Sequence, residues 1–219
     1  MRGLWLIVLL VFGTASAQLT QARLSDGTGT IGLAPGFQMG EAYRGSVSAV
    51  HPNGSTISLG IPYVVVSPDS SLLSLPSAQQ SPIAYPGDLG TALREVLAKR
   101  FQARLVSLIS RPAPQAIAGV PAYYAMYDFV QNGVMYAGIG YFTTLSYGPN
   151  DPWQMYSSVI VAPRANFAQM YPALMAMWRS WRPNGQEPLA GSQSAKIEAI
   201  LKDSRQSYEK MQEAFRKNL

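Results

Sequence analysis

The sequence predicts an α+β fold in which an antiparallel sheet of about six or seven strands is covered by helices as an α/β/α sandwich. Three observations predict it. Apolar and polar residues alternate along several segments that are joined by turn-forming clusters, as in hairpins. Two other segments repeat apolar residues at helical spacing. Both faces of the central hairpin are apolar, so each face requires a covering layer.

The N-terminus predicts a secretory signal peptide over residues 1–17. Arg2 precedes an apolar run, and the small-residue pattern Ala15, Ser16, Ala17 follows it. The apolar run is shorter than the roughly 20 residues that span a bilayer. We therefore expect cleavage after Ala17 and a protein that is secreted or located in a bacterial periplasm.

Composition excludes several classes of function. The chain has no cysteine, so a disulfide framework is impossible. Its formal charge is +5, and the basic residues are scattered rather than clustered. A nucleic-acid partner is therefore not expected. No segment after the signal is both long and apolar enough to span a membrane.

A single α+β domain is expected over residues 18–183. Its beginning contains a GxGxxG match at Gly27, Gly29 and Gly32. A dinucleotide site needs this pattern to open a helix, but Pro35 and Gly36 follow it. The segment is instead predicted to be a short first strand and a turn.

The next segments predict a hairpin, a long loop and a helix. Two alternating runs in "YRGSVSAVHPNGSTISLGIPYVVV" are joined by the turn cluster 51–54. Residues 67–88 are rich in serine and proline, and this loop is either functional or simply mobile. Residues 88–101 have apolar residues at helical spacing, with charged residues on the other side.

The second half of the domain predicts four strands and a helix. The strand "ARLVSLISR" precedes the central hairpin 123–142, and a strand from Trp153 to Val161 follows it. The segment "PRANFAQMYPALMAMWRSWRP" predicts a helix, in which Pro172 is expected to separate a short lead-in turn from the main helix.

The central hairpin contains one charge that needs an explanation. Asn132 and Gly133 predict a type I′ turn, so paired residues should have numbers that sum to 265. This register puts aromatic residues over glycines on one face and Asp128 on the other. We expect Asp128 to be a structural buried charge, paired with Arg100, Arg104 or a tyrosine hydroxyl, rather than a catalytic acid.

The C-terminal region predicts a flexible link over residues 184–193 and a helix over residues 194–219. The helix carries a heptad-like apolar seam that could pack on its own domain or on a partner. Self-association through this helix is a further option. The seam consists of Ile197, Leu201, Ser204, Tyr208, Met211 and Phe215.

The order of elements resembles the PsbP-like α/β/α sandwich of the photosystem II extrinsic subunit and of small exported bacterial proteins. The resemblance covers roughly residues 26–182. It is carried by the element order and by "GTIGLAPGF", "GVPAYYAMYDFVQNGVMYAGIGYF" and "WQMYSSVIVAPRANFAQMYPALMAMWRSW". It implies an accessory or binding role rather than catalysis. No catalytic or metal-binding residue can be carried over.

Residue inventory argues against most catalytic and metal sites. His51 is the only histidine and the chain has no cysteine, so a histidine-rich metal site and a thiol nucleophile are both impossible within one chain. The sequence has no GxSxG elbow, phosphate-binding loop or calcium loop. We therefore predict no catalytic residue, no metal and no cofactor.

One loop is a candidate ligand site. The stretch "YGPNDPW" brings together Tyr147, Asn150, Asp151 and Trp153, on which a glycan or another flat ligand could stack. In the alternative interpretation, which we favour, Trp153 starts a strand and packs under the loop while Asn150 and Asp151 make the turn.

Three functions remain open. The first is an exported non-enzymatic module that binds a protein or another component of the cell envelope. The second is a binder of a small ligand or glycan through the tyrosine-rich sheet and the 147–153 loop. The third is a hydrolase with an unusual carboxylate site, which would require loop-borne polar residues around Asp128.

Overall fold

The computed structural model describes residues 18–115, 119–146, 148 and 150–183. Ten strands and three α-helices are present in these residues, together with 3₁₀ turns at Ser71–Ser74 and Arg164–Asn166. The strands are β1 (Thr20–Arg23), β2 (Gly29–Leu33), β3 (Gln38–Tyr43), β4 (Ser46–Val50), β5 (Thr56–Val65), β6 (Ala103–Pro112), β7 (Ala122–Gln131), β8 (Val134–Leu145), β9 (Trp153–Pro163) and β10 (Arg182–Pro183). The helices are α1 (Pro76–Gln79), α2 (Leu89–Phe101) and α3 (Phe167–Ser180).

Seven strands form one antiparallel sheet in the order β3-β4-β5-β9-β8-β7-β6. A second sheet of three strands has the order β1-β2-β10. The predicted α+β class is confirmed, with a seven-stranded antiparallel sheet and helices packed on it. Bulges interrupt the pairing of β5 with β9 and of β6 with β7.

Helix α2 covers one face of the large sheet. Asp88 caps its N-terminus by accepting a hydrogen bond from the Thr91 backbone N–H at 3.0 Å. Gln102 ends the helix in the left-handed conformation, with φ at 51°. Leu89, Leu93, Val96 and Leu97 of the predicted apolar stripe are buried in the core that contains Tyr127 and Phe129, whereas Phe101, at the end of the stripe, is 43% exposed.

Helix α3 and the small sheet cover part of the opposite face. Leu174 and Met177 of α3 are fully buried against Ile160 of β9 and Ile31 of β2. The two sides of the sheet therefore have separate apolar cores, one under α2 and one under α3. Burial of this kind stabilises a fold by about 25 cal/mol for each Å² of apolar surface.

The central hairpin has the predicted register. Its paired residues run from Gln131 with Val134 to Tyr123 with Phe142, as the sum of 265 requires. Asn132 and Gly133 have φ angles of 51° and 76°, the positive values that a type I′ turn needs at both central positions.

Three local predictions were wrong. Pro172 lies inside α3, because the helix begins at Phe167, directly after the 3₁₀ turn. The strand β3 was not predicted, because a bulge between Met39 and Ala42 interrupts the alternation of Gln38–Tyr43. The beginning of the domain holds two strands, β1 and β2, instead of one.

The predicted 67–88 loop contains the first 3₁₀ turn and α1, and it is tied to its surroundings. Lys99 of α2 donates hydrogen bonds to the carbonyls of Gln79 and Ser81 at 3.1 and 2.7 Å. The Val66 backbone N–H donates to the Pro82 carbonyl, and the Val66 carbonyl accepts a hydrogen bond from the Ala84 N–H.

Several predictions lie outside the described residues. These are the signal peptide 1–17, the link 184–193 and the helix 194–219, so the predicted boundaries remain predictions. Within the described ranges, every helix is too short or too polar to cross a membrane.

Candidate functional site

Helix α3 leaves part of its sheet face uncovered. On β8, Ala137 and Ile139 are buried in the core under α3. Because side chains alternate along a strand, Tyr141, Thr143 and Leu145 lie on the same side of the sheet. These three residues are only half-buried, so the described residues do not cover the sheet completely here.

The strand pairing continues this surface across five strands. Tyr124 of β7 pairs with Tyr141 and with Arg111 of β6, and Met126 pairs with Ile109. Val64 of β5 pairs with Gln154 of β9 on the other side. We call this surface the open face. It consists of Pro62, Val64, Ile109, Arg111, Tyr124, Met126, Tyr141, Thr143, Leu145, Gln154 and Tyr156.

Two tyrosines form the centre of the open face. The Tyr124 and Tyr141 rings lie 5.4 Å apart between centroids in a tilted arrangement. The Tyr141 hydroxyl donates a hydrogen bond to the Pro114 carbonyl at 3.2 Å, which fixes its position beside the β6–β7 connection. Burial raises the pKa of Tyr124, and so does Tyr141, whereas nearby Arg111 lowers it.

The outer residues of the open face are exposed and largely apolar. Ile109 is 57% exposed, Val64 is 50% exposed and Tyr156 is 37% exposed. The Tyr156 hydroxyl contacts the Gln154 side chain at 2.5 Å. Arg111 is the charged residue of this surface, which contains no carboxylate. Taking the usual spacings of strands and side chains, the open face measures about 20 Å in each direction.

Asp128 lies in a hollow that borders the open face. Its side chain forms an ion pair with Arg164 and accepts a hydrogen bond from the Ser107 hydroxyl at 2.9 Å. Phe167, the first residue of α3, lines the same hollow. The hollow has room for about one water molecule, which is too little for an organic ligand.

The partners of Asp128 differ from those that the sequence predicted. Asp128 is 8% exposed, on the α3 side of β7. Arg104 pairs with Val130, one position along the same face, while Arg100 lies on α2 at the opposite face. Arg164 comes closer because the 3₁₀ turn before α3 lies next to β8, the strand paired with β7. The structural role that we predicted for Asp128 stays a prediction.

The structure separates the residues of the predicted loop site. Asn150 and Asp151 are exposed at the end of the β8–β9 hairpin, next to the Leu145–Gln154 pair of the open face. Trp153 is fully buried on the other side of the sheet, and its indole N–H donates to the Ala84 carbonyl at 2.9 Å. Trp153 thus has no exposed surface on which a ligand could stack. Tyr147 lies outside the described residues.

Most of the open face was not predicted from the sequence. The pairing of Tyr124 with Tyr141 was contained in the predicted register, but Ile109, Val64 and Tyr156 were not singled out. The side on which Ile109 lies depends on the bulge between Leu105 and Ser107. A slip of one residue moves every side chain to the other face, and the sequence carried no clear signal for this bulge.

Comparison with known proteins gives no family. No family model matches this chain, and no curated protein matches it. Among solved structures, the Ran-binding protein Mog1p of Saccharomyces cerevisiae is 11% identical, with a TM-score of 0.37 over 77% of this chain and 96% of that one. A protein of unknown function from Pseudomonas aeruginosa, PA94, a putative regulator by its description, is 14% identical, with a TM-score of 0.30 over 77% of this chain and 99% of that one.

These low identities and TM-scores do not establish a relationship, so what Mog1p binds is not carried over to this chain. The resemblance to PsbP-like proteins also stays a prediction, since these matches neither support nor contradict it.

Proposed function

We propose that this protein is an exported, non-enzymatic module that binds a protein component of the cell envelope through the open face. The observation that carries the proposal is the cluster of exposed apolar and tyrosine side chains on one half of the sheet. Export is supported by the signal-peptide pattern of the first 17 residues.

The composition of the open face supports a protein partner. Tyrosine, methionine and arginine are enriched in protein interfaces, whereas lysine, aspartate and glutamate are depleted. The open face has three tyrosines, Met126 and Arg111, and none of the depleted types. A partner that fits it presents an apolar surface with a carboxylate opposite Arg111.

The shape of this region favours a protein over a small ligand. Small-molecule sites are concave and enclose most of their ligand. The bordering hollow holds about one water molecule, and Trp153 is turned into the opposite core. The hydrolase alternative is less favoured, because the partners of Asp128 among the described residues are Arg164 and Ser107 rather than a cluster of loop residues.

Photo-crosslinking from single positions tests the proposal. A photoreactive amino acid replaces Ile109 or Tyr156 on the open face, or Val50, which is 48% exposed on the opposite side of the sheet. Each protein is activated in intact cells of its source. We expect one shared crosslinked protein from Ile109 and Tyr156 and none of it from Val50. The same product from all three positions, or a product from Val50 alone, would contradict the proposal.

A further inference from the structure

The chain leaves the described domain beside the open face. Trp181, directly after α3, lies over Gly60, where an added Cβ would be 3.3 Å from the indole ring. Gly60 is followed on β5 by Pro62 and Val64, which belong to the open face. Pro183 lies over Gly45 in the β3–β4 turn. Since Trp181 packs on the core under α3, the exit point is on the same side of the sheet as the open face.

The sequence after Pro183 has the length and pattern to cover this face. Residues 184–193 can reach at most about 33 Å when extended. The apolar stripe from Ile197 to Phe215 would be about 27 Å long as a helix. The open face is about 20 Å across, so the stripe can lie over it without a long excursion of the link.

Apolar chemistry and local concentration both favour the chain's own face as the docking site. A helix of this length is marginal in water unless its apolar side packs on another surface. A link of this length would hold the stripe near the face at an effective concentration on the order of millimolar, which a second copy of the chain rarely reaches.

We propose that residues 194–219 lie across the open face of the same chain and cover it until a protein partner displaces them. This rests on the proposed function, because it assigns a regulator to the same surface. The segment then competes with the partner for Val64, Ile109 and Tyr156. The apparent affinity for the partner is then set by the difference in free energy between the partner's contact with the open face and the contact made by residues 194–219.

Methyl NMR with a soluble paramagnetic agent tests whether residues 194–219 cover the open face. The sample is the mature chain, residues 18–219, without any partner. The methyl groups of Ile109 and Val64 report on the open face. Ile160, which is fully buried, and Val50, which is 48% exposed, show how strongly the agent affects a shielded and an accessible methyl group. We expect Ile109 and Val64 to be shielded nearly as well as Ile160, at every protein concentration.

A double variant, Leu201→Glu with Tyr208→Glu, breaks the apolar stripe. Its matched control, Lys202→Glu with Glu209→Lys, changes charges beside the stripe without removing apolar groups. We expect Ile109 and Val64 to become as accessible as Val50 in the double variant and to stay shielded in the control. Unchanged Ile160 signals show that each variant is folded.

Three results would overturn the inference. Ile109 and Val64 could already be accessible in the unmodified chain. Their shielding could appear only at high concentration, which would identify a second copy as the cover. Shielding could also survive in the double variant. Each result leaves the proposed function standing, because no partner is present. Failure of the Ile109 crosslink with intact shielding would reject the proposed function and the displacement by a partner, and would leave the covering of the face by residues 194–219.

Discussion

Tyr127 of β7 lies directly over Gly138 of β8, its partner across the central hairpin. A Cβ added at Gly138 would lie 2.5 Å from the Tyr127 ring carbon Cζ, a distance that real Cβ atoms do not reach. Tyr127 is buried in the core under α2, and burial raises the pKa of its phenol. The absence of a side chain at Gly138 is therefore what allows this ring to lie flat on the sheet.

Gly138→Ala should destabilise the domain by about 1–3 kcal/mol, since overpacking forces the Tyr127 ring or the backbone to move. Chemical denaturation measures the change. Gly90→Ala is the matched control, because its Cβ would meet its neighbours at an ordinary 3.6 Å and alanine favours a helix. Equal stability of the wild type and Gly138→Ala would show that the ring has room that the structure does not show.

Asp128→Asn should lower the free energy of unfolding by about 1–3 kcal/mol, because it weakens the contacts with Arg164 and Ser107. The ion pair is partly exposed, so the loss stays below that of a fully buried pair. Binding of a captured partner should be nearly unchanged. A variant with unchanged stability that has lost binding would make Asp128 a functional residue.

Tyr141→Phe should lower the pKa of Tyr124, yet leave it above the usual 10.0, because burial, the larger cause, remains. Carbon-13 NMR of labelled tyrosine measures this pKa. A phenol whose pKa is raised by folding contributes stability that is present below its unfolded pKa and lost as pH rises through the folded pKa. The loss of stability above pH 10.0 should be smaller in Tyr141→Phe. An unchanged or higher Tyr124 pKa would show that the Tyr141 hydroxyl does not raise it.

Lys99→Met should loosen the 67–88 segment, because it removes the hydrogen bonds to the Gln79 and Ser81 carbonyls. We expect faster amide exchange over residues 79–84 and a loss of at most about 1 kcal/mol in global stability. Arg94→Met, an exposed change on the same helix, is the control. Exchange rates that match those of the control would mean that the lysine does not hold this segment.

Much of the fold followed from local signals in the sequence. Asn132 and Gly133 determine the hairpin register, and the spacing of Leu89, Leu93 and Val96 predicts α2. Pro172 was expected at a helix start because the N–H groups of the first turn have no partner within the helix, so a proline there costs no hydrogen bond. In the structure it lies further inside α3, where the burial of Leu174 offsets the loss of one backbone hydrogen bond.

The candidate site was harder to predict, because it exists only where no other element packs on the sheet. Tyr124, Tyr141 and Ile109 belong to three strands, and their exposure is decided by the reach of α3 over the face. Trp153 is the opposite case. It belongs to a loop motif that suggested a ligand site, but the alternation of side chains along β9 puts it in the core under α2. Neither outcome is encoded within a short window of sequence.

The affinity of the crosslinked partner for Ile109→Glu and Val50→Glu tests the central claim most directly. Both residues are exposed, at 57% and 48%, so neither change should affect folding strongly, but only Ile109 belongs to the open face. If the open face is the binding surface, Ile109→Glu should weaken binding by roughly 30-fold or more, as at an interface hot spot, and Val50→Glu should bind like the wild type. Equal affinity of both variants and the wild type would contradict the claim.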